Sequence, residues 1–240
     1  MKNIGQSFLD GSKHATMPTP DEKKGVDTPL IETPVEGERI ALTPIEDIAV
    51  PSLTLDEALK TRKSHRKFLD ETVDFDTFSY LLYMMQGVRK AGKNATLRMV
   101  PSAGARHAFE PYIAVRKVEG LTPGIYRYMA MEHALIKIED GDVSSTMVDV
   151  CEGQPFVGTA AFNVVLVANT YRMIHRYGMR GYRYLFMDAG HVVENLYLCA
   201  PMFNLGTVAV GAYDDDAVNQ WLNLDGSNRF VIYIAPVGYV

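Results

Sequence analysis

Cysteine, clustered positive charge and long apolar runs are all scarce in this 240-residue sequence. Its two cysteines, Cys151 and Cys199, lie in apolar stretches, so we predict reduced core thiols rather than a disulfide. The formal net charge is −5 and no basic run exceeds RKSHRK, which argues against non-specific nucleic-acid binding. No apolar stretch approaches the roughly 20 residues of a membrane helix, and the first residues carry no secretory-type apolar segment. These absences favour a cytoplasmic protein without nucleic-acid or membrane partners.

Signatures of several common catalytic sites are also missing. No HExxH motif is present, and His191 with Glu194 has no further ligands in sequence, so we predict no metal site. The sequence has no glycine-rich dinucleotide fingerprint after a strand, no P-loop and no GxSxG nucleophile motif. Neither cysteine has positive charge nearby in sequence that would activate a thiolate. Metal-dependent and nucleophilic mechanisms are therefore disfavoured.

The N-terminal segment is rich in proline and has no apolar periodicity. Proline prevents helix and sheet interiors, so we predict an extended arm over residues 1–50 and one folded domain over residues 51–240. The arm is either disordered or wraps the body or a partner subunit, and its apolar residues favour wrapping. These apolar residues are Ile31, Ile40, Leu42, Ile45 and Ile48.

Four helices are predicted in the folded domain, the last of them after an acidic cap that follows Gly211. Thr54 and Glu57 form a capping-box pattern at the start of a short helix. Asp74 and Gly87 are typical of the start and the end of a second helix. The longest predicted helix is YLFMDAGHVVENLYLCAPMFNLG, whose apolar residues repeat at three and four positions, and we expect it to end at Gly206.

The strand pattern predicts an α+β fold, with a mostly antiparallel sheet and helices packed around it. The segment GIYRYMAMEHALIKI indicates a hairpin. Runs with the length and β-branched content of core strands span residues 112–118, 161–168, 207–213 and 230–235.

The segment TRKSHRKF has a spacing that suits a phosphate group. If it is extended, Arg62, Ser64 and Arg66 lie on one side, since alternate residues of an extended chain face the same way. Two guanidinium groups and a hydroxyl then supply charge-assisted hydrogen bonds. If the preceding helix continues instead, Ser64 turns away from the two arginines. A solvated basic turn is the alternative interpretation.

Two further segments present bare backbone. The loop in PSAGARHAFEPY has small residues at 101–104, which expose N–H groups and allow a flat group to lie close. A buried strand breaks at Gly211 and leaves backbone N–H groups at its end. The alternatives are a tight turn in the first segment and, in the second, a turn followed by an N-cap at Asp214 or Asp215.

In their order and spacing, these segments resemble the nitroreductase-like FMN oxidoreductases over about residues 53–238. The segments that carry the resemblance are TRKSHRKF, LLYMMQG, PSAGARHAFEPY, YRYLFMDAGHVVENLYLCAPMFNLGTVAVGAYDDDAVNQWL and PVG. The similarity is greatest to the SagB-type branch, which includes dehydrogenases of thiazolines and oxazolines. The resemblance implies an α+β FMN-binding fold and an intertwined homodimer with two active sites at the subunit interface.

The resemblance also implies roles for particular residues. Arg62, Ser64 and Arg66 are expected to hold the FMN phosphate and ribityl chain, with Lys63 nearby. The expected contacts with the isoalloxazine come from the other subunit and comprise Pro101, Ser102, Ala103 and Gly104. The flavin edge is expected to be lined by Ala209, Val210 and Gly211, with the Gly211 amide near the reactive N5.

Two departures from the family pattern bear on function. Azoline dehydrogenases typically carry a Lys-Tyr pair before the long helix, whereas this chain has Arg176 and Tyr177, which we take as the candidate catalytic residues. Arginine stays protonated and cannot act as a base, which argues against azoline oxidation or for an altered mechanism. The chain given ends at PVGYV without a basic tail, so phosphate binding depends more on Arg62 and Arg66.

The resemblance predicts an FMN-dependent oxidoreductase that transfers hydride through flavin N5, from NAD(P)H to a small unsaturated or aromatic acceptor. An azoline dehydrogenase that acts on a peptide heterocycle is one alternative. A flavin-binding scaffold without catalysis is another. The expected partners are a second copy of the chain and a small-molecule or peptide-borne substrate.

Overall fold

A seven-stranded sheet, antiparallel at every pair of neighbouring strands, forms the centre of the molecule. The computed structural model describes residues 3–240. The spatial order of the sheet is β1–β6–β5–β4–β7–β9–β8, while β2 and β3 form a separate hairpin. The predicted α+β fold is confirmed, and the predicted hairpin is the β5–β6 pair. The strands are Arg39–Ala41 (β1), Val88–Ala91 (β2), Thr96–Arg98 (β3), Phe109–Val115 (β4), Gly124–Met129 (β5), Ala134–Asp140 (β6), Phe162–Asn169 (β7), Leu205–Thr207 (β8) and Arg229–Tyr239 (β9).

Eight α-helices lie within residues 3–240. The predicted capping box forms, since the Thr54 side chain accepts from the Glu57 N–H and the Glu57 carboxylate accepts from the Thr54 N–H. Asp74 likewise caps the next helix by accepting from the Thr77 N–H. The helices are Ile4–Gly11 (α1), Leu55–Thr61 (α2), Phe75–Gln86 (α3), Ser144–Val150 (α4), Pro155–Thr159 (α5), Thr170–Tyr177 (α6), Gly181–Cys199 (α7) and Asp215–Trp221 (α8).

The two faces of the sheet bury different groups of helices. Along β7, Val164 and Leu166 belong to one apolar cluster, whereas Val165 and Val167 belong to the other. This alternation follows from the two-residue period of a strand. The first cluster contains α3 and α7, and the second contains α4, α5 and α8. The helix α7 therefore packs directly on the central sheet.

The predicted end of the long helix is wrong. Helix α7 ends at Cys199 and is followed by a short 3₁₀ turn, Ala200–Phe203, that closes at Asn204 with φ of 56°. Pro201 lacks the N–H that would continue the α-helical pattern. Gly206 lies instead in β8, where an added Cβ would approach the His65 ring to 2.6 Å.

The predicted strand at 207–213 is also wrong in its extent. Ladder pairing ends at Thr207, and beyond it only Val210 forms an isolated bridge, with Ile234 of β9. Residues 211–213 lie outside the sheet. The backbone therefore leaves the edge of the sheet after β8, in the segment that contains Gly211.

The N-terminal arm wraps the body of its own chain, but it is not extended throughout. Within the described residues it contains α1 and the strand β1, which pairs with β6. Leu42 and Ile48 are buried in the core beside α3. Residues 1 and 2, also part of the predicted arm, lie outside the described residues.

A buried charge cluster ties the arm to the sheet. Glu110 in β4 accepts hydrogen bonds from Arg172 Nη2 and Arg229 Nη2, each at 2.8 Å, and from the Thr33 hydroxyl of the arm. Arg172 also donates to the Leu30 carbonyl of the arm. Burial alone would raise the pKa of Glu110, but the surrounding arginines outweigh it and lower that pKa to about 2.

Candidate functional site

The basic segment after α2 is extended, as the first of the two interpretations predicted. Helix α2 ends at Thr61, and Ser64 forms a parallel bridge with Thr207 of β8. The His65 N–H donates to the Thr207 carbonyl at 3.0 Å. This pairing holds the segment against the strand that leads into residues 209–211.

Tyr197 of α7 joins the basic segment to that strand end. Its hydroxyl lies 3.0 Å from the Ser64 hydroxyl and accepts the Ala209 N–H at 2.8 Å. The Arg62 guanidinium lies over the Tyr197 ring, with Cζ 5.3 Å from the ring centroid. The structure therefore brings Arg62, Ser64 and Ala209 together around one side chain.

The amides of the strand end differ in their hydrogen bonding. Ala209 donates to Tyr197, and Val210 donates to the Ile234 carbonyl at 2.8 Å. Within residues 3–240 the Gly211 N–H has no hydrogen-bond partner, and no atom lies within 4 Å of the position of an added Cβ. Gly211 thus presents an available donor beside open space.

The positive charges of the basic segment are not neutralised by acidic side chains of the described residues. Within the described part of the chain, Arg62, Lys63 and Arg66 form no ion pair with an acidic side chain. Partial burial, and secondarily the charge of Lys63, lower the pKa of His65. Unpaired guanidinium groups beside a serine hydroxyl suit a phosphate.

The small-residue loop is fixed to the other half of α7 by Asp188. The Ser102 hydroxyl donates to Asp188 Oδ2 at 2.6 Å, and the Ala103 N–H donates to the same oxygen at 3.2 Å. Ser102 Oγ also accepts the His107 N–H at 2.9 Å. Burial raises the pKa of Asp188, and the bonds from Ser102 and Ala103 oppose that rise. Pro101 is exposed beside these anchored residues.

The backbone of this loop is strained. Gly104 has φ of 57°, and Ala105 and His107 have φ of 53° and 41°. Non-glycine residues rarely adopt such angles, and residues held there cluster at functional sites. A Cβ on Gly104 would lie 2.3 Å from the Tyr177 hydroxyl and 3.0 Å from Arg176 Nε. The loop therefore packs directly on the two candidate catalytic residues.

In a single chain the predicted cofactor residues form two separate groups. The loop contacts α7 at Asp188, whereas the basic segment and the strand end contact it at Tyr197. Nine residues of α-helix correspond to about 14 Å along the axis. Within residues 3–240 no hydrogen bond or ion pair joins the two groups directly.

Three functional candidates were missed from the sequence: Asp188, Tyr197 and Glu22. Glu22 of the arm forms an ion pair with Arg176, with Oε1 2.9 Å from Nη1. The signal for Asp188 is its position on the buried face of α7, three residues after Leu185, where an unpaired carboxylate is costly. Tyr197 and Glu22 carry no comparable signal, because ordinary exposed positions accept both residue types.

The thiols and the possible metal ligands add no chemistry to this site. Both cysteines are free; burial raises the pKa of Cys151 to about 12 and that of Cys199 to about 11. Among residues 3–240 no group of three or more His, Cys, Asp or Glu side chains is arranged to hold a metal ion. No helix in the same range has the length and apolar character needed to cross a membrane.

Comparisons with known proteins agree with the fold. The sequence profile of the Nitroreductase family matches residues 59–239. Protein MJ1384 of Methanocaldococcus jannaschii, whose name places it among the nitroreductases, is 33% identical over 189 residues, which cover 79% of this chain and 92% of that protein.

Two further similarities cover less of the other protein. A solved structure from Anabaena variabilis, described as a nitroreductase, is 30% identical with a TM-score of 0.66, and the match covers 77% of this chain and 38% of that one. The trifolitoxin-processing protein TfxB of Rhizobium leguminosarum is 29% identical over 137 residues, or 53% of this chain and 36% of TfxB.

Proposed function

The chain belongs to the nitroreductase family, and from this we propose that it binds FMN and transfers hydride from NAD(P)H to a small unsaturated or aromatic acceptor. Bound FMN supplies the redox chemistry, since its N5 accepts a hydride and passes it on. The protein's tasks are then to bind, to orient and to stabilise charge.

The observation that carries this proposal is the group around Tyr197. Arg62 and Ser64, held there beside Lys63 and Arg66, supply charge and a hydroxyl donor for the phosphate. When Tyr197 donates its proton to Ser64, the Ser64 proton is free for a ligand. The available Gly211 N–H lies on the segment fixed by the same tyrosine and is the candidate donor to N5.

The loop at 101–104 fits the flat part of the cofactor. Ser102 and Ala103 are held by Asp188, and the absence of side-chain bulk leaves backbone and Cβ atoms as the contact surface. The loop and the predicted phosphate-binding residues contact α7 at points about 14 Å apart. We therefore infer that each site combines the loop of one subunit with the basic segment of another.

The outer face of α7 supports a homodimer. Phe186 and Met187 are 57% and 58% exposed in the single chain. One turn further on, Gly190 has no atom within 4 Å of an added Cβ, so a neighbouring chain can approach closely. Large apolar side chains beside a glycine on an unpartnered helix face are suited to packing against a second copy.

Tyr177 and Arg176 lie against the loop at 101–104. Tyr177 packs edge-on against Tyr184 with ring centroids 4.8 Å apart, which fixes its hydroxyl beside Gly104. Since arginine side chains do not act as bases, the role of Arg176 is to orient substrate or to stabilise negative charge. These roles fit reduction of an acceptor.

An azoline dehydrogenase is the second candidate function, favoured by the similarity to a trifolitoxin-processing protein. Against it stands Arg176, at the position where that branch typically has lysine. A flavin-binding scaffold without catalysis is the third possibility, and the same experiment distinguishes all three.

The test is the absorbance spectrum of the purified protein, followed by anaerobic addition of NADH or NADPH. A bound flavin spectrum that bleaches with a nicotinamide and recovers with an aromatic oxidant is the expected result. A flavin that no nicotinamide bleaches but a peptide azoline reduces would favour the dehydrogenase. A flavin that nothing reduces would indicate a scaffold, and a colourless protein that does not take up FMN would refute the proposal.

A further inference from the structure

The arm and helix α6 enclose a cavity that the proposed cofactor site does not use. Its volume is about 410 Å³, within the range of small-molecule sites. Met17, Pro20 and the Tyr177 ring supply apolar walls, while Glu22, Lys23 and Arg176 supply charge. The cavity therefore combines apolar surface with a few convergent charged groups.

The charge of this cavity is unbalanced. Arg176 is paired with Glu22, but Lys23 forms no ion pair or side-chain hydrogen bond within residues 3–240. The charged side chains of the lining, Glu22, Lys23 and Arg176, sum to one net positive charge. A single carboxylate neutralises it, whereas a phosphate dianion leaves an excess of negative charge. The Glu22 contact already shows the Arg176 guanidinium donating a hydrogen bond to a carboxylate here.

The cavity adjoins the loop that packs on the candidate catalytic residues. Arg176 and Tyr177 line it, and the same two side chains meet the Cβ position of Gly104. A molecule bound in the cavity therefore lies next to the loop at 101–104.

We propose that this arm cavity binds the carboxylate of a small aromatic or unsaturated carboxylic acid, with Lys23 and Arg176 as its charged partners. As a statement about substrate class, the proposal depends on the proposed function. The binding of a carboxylate in the cavity does not depend on the proposed function, because the cavity is formed by the chain alone.

The test is calorimetric titration of the purified protein with 4-nitrobenzoate and with its neutral analogue 4-nitrobenzamide, in low salt at pH 7.5. Flavin content is recorded separately. We expect 4-nitrobenzoate to bind about fivefold more tightly, the upper range for a partly exposed charge pair. Lys23→Gln should abolish this preference, and Glu22→Gln should increase it about threefold.

Lys24→Gln is the matched control, because Lys24 pairs with Asp21 at 2.9 Å and does not line the cavity. It should keep the preference for the carboxylate. Equal affinity for the two ligands, no binding of either, or equal losses in Lys23→Gln and Lys24→Gln would overturn the proposal. Selective carboxylate binding by a protein that takes up no FMN would support the cavity while refuting the proposed function.

Discussion

Replacing Tyr197 with phenylalanine tests whether one hydroxyl organises the phosphate end of the site. The substitution keeps the ring under Arg62 and removes the oxygen that contacts Ser64 at 3.0 Å and Ala209 at 2.8 Å. The segment at 209–211 then loses its connection to α7, although Val210 keeps its bridge to β9.

The expected loss of stability follows from two lost hydrogen bonds. Each contributes about 1 kcal/mol net, so we expect the free energy of unfolding to fall by about 2 kcal/mol. Loss of the ordered arrangement of Ser64 and the strand end should also weaken FMN binding. A cost of about 1 kcal/mol corresponds to an increase of about fivefold in the FMN dissociation constant.

Urea unfolding and fluorescence titration with FMN measure the two effects. Tyr80→Phe is the matched control, since Tyr80 is buried and its hydroxyl forms no hydrogen bond within residues 3–240. It should change the unfolding free energy by less than about 0.5 kcal/mol. If Tyr197→Phe behaved like Tyr80→Phe in both assays, the assignment of Tyr197 as the organiser would be wrong.

Three further predictions concern the phosphate group, the loop and the arm. Arg66→Ala should weaken FMN binding at least about tenfold in the titration while Lys67→Ala does not, since a charge-assisted bond contributes about 1.5–3 kcal/mol. Gly104→Ala should lower the unfolding free energy more than Gly120→Ala, because both have positive φ but only the first meets side-chain atoms. Glu110→Gln should cost about 3 kcal/mol at pH 7, since it leaves buried arginines unpaired. Because the folded pKa of Glu110 is about 2 against an ordinary 4.5, its stabilisation is complete above pH 4.5 and lost as pH falls towards 2. The variant should therefore show a flatter urea-stability profile than the parent protein below pH 5.

Features that depend on neighbouring residues were predicted well from the sequence. The starts of α2 and α3 follow from Thr54 and Asp74, because an N-cap bonds to a backbone group three residues away. The predicted end of α7 is wrong because Gly206 is not the residue that stops the helix. Pro201 and the left-handed Asn204 end the helix earlier.

Residues whose role depends on distant partners were not predicted. Tyr197 contacts Ser64 across 133 positions, and Asp188 contacts Ser102 across 86. No local pattern encodes such pairings, so the sequence identified the loop and the basic segment but not the side chains that hold them. The predicted extent of the strand at 207–213 is wrong for a similar reason, because the β-branched residues of this segment pair with β9 only in part.

If one flavin site needs two copies of the chain, two variants defective in different halves of the site should restore each other when mixed. Arg66→Ala damages the phosphate end, and Pro101→Glu places a charge on the loop at a position that is exposed in the single chain. Each variant alone should bind little FMN. After the two are unfolded and refolded together, we predict one FMN per mixed dimer, because one of its two sites combines undamaged halves. If mixed dimers form but recover no FMN binding, the flavin site is not shared between two copies of the chain.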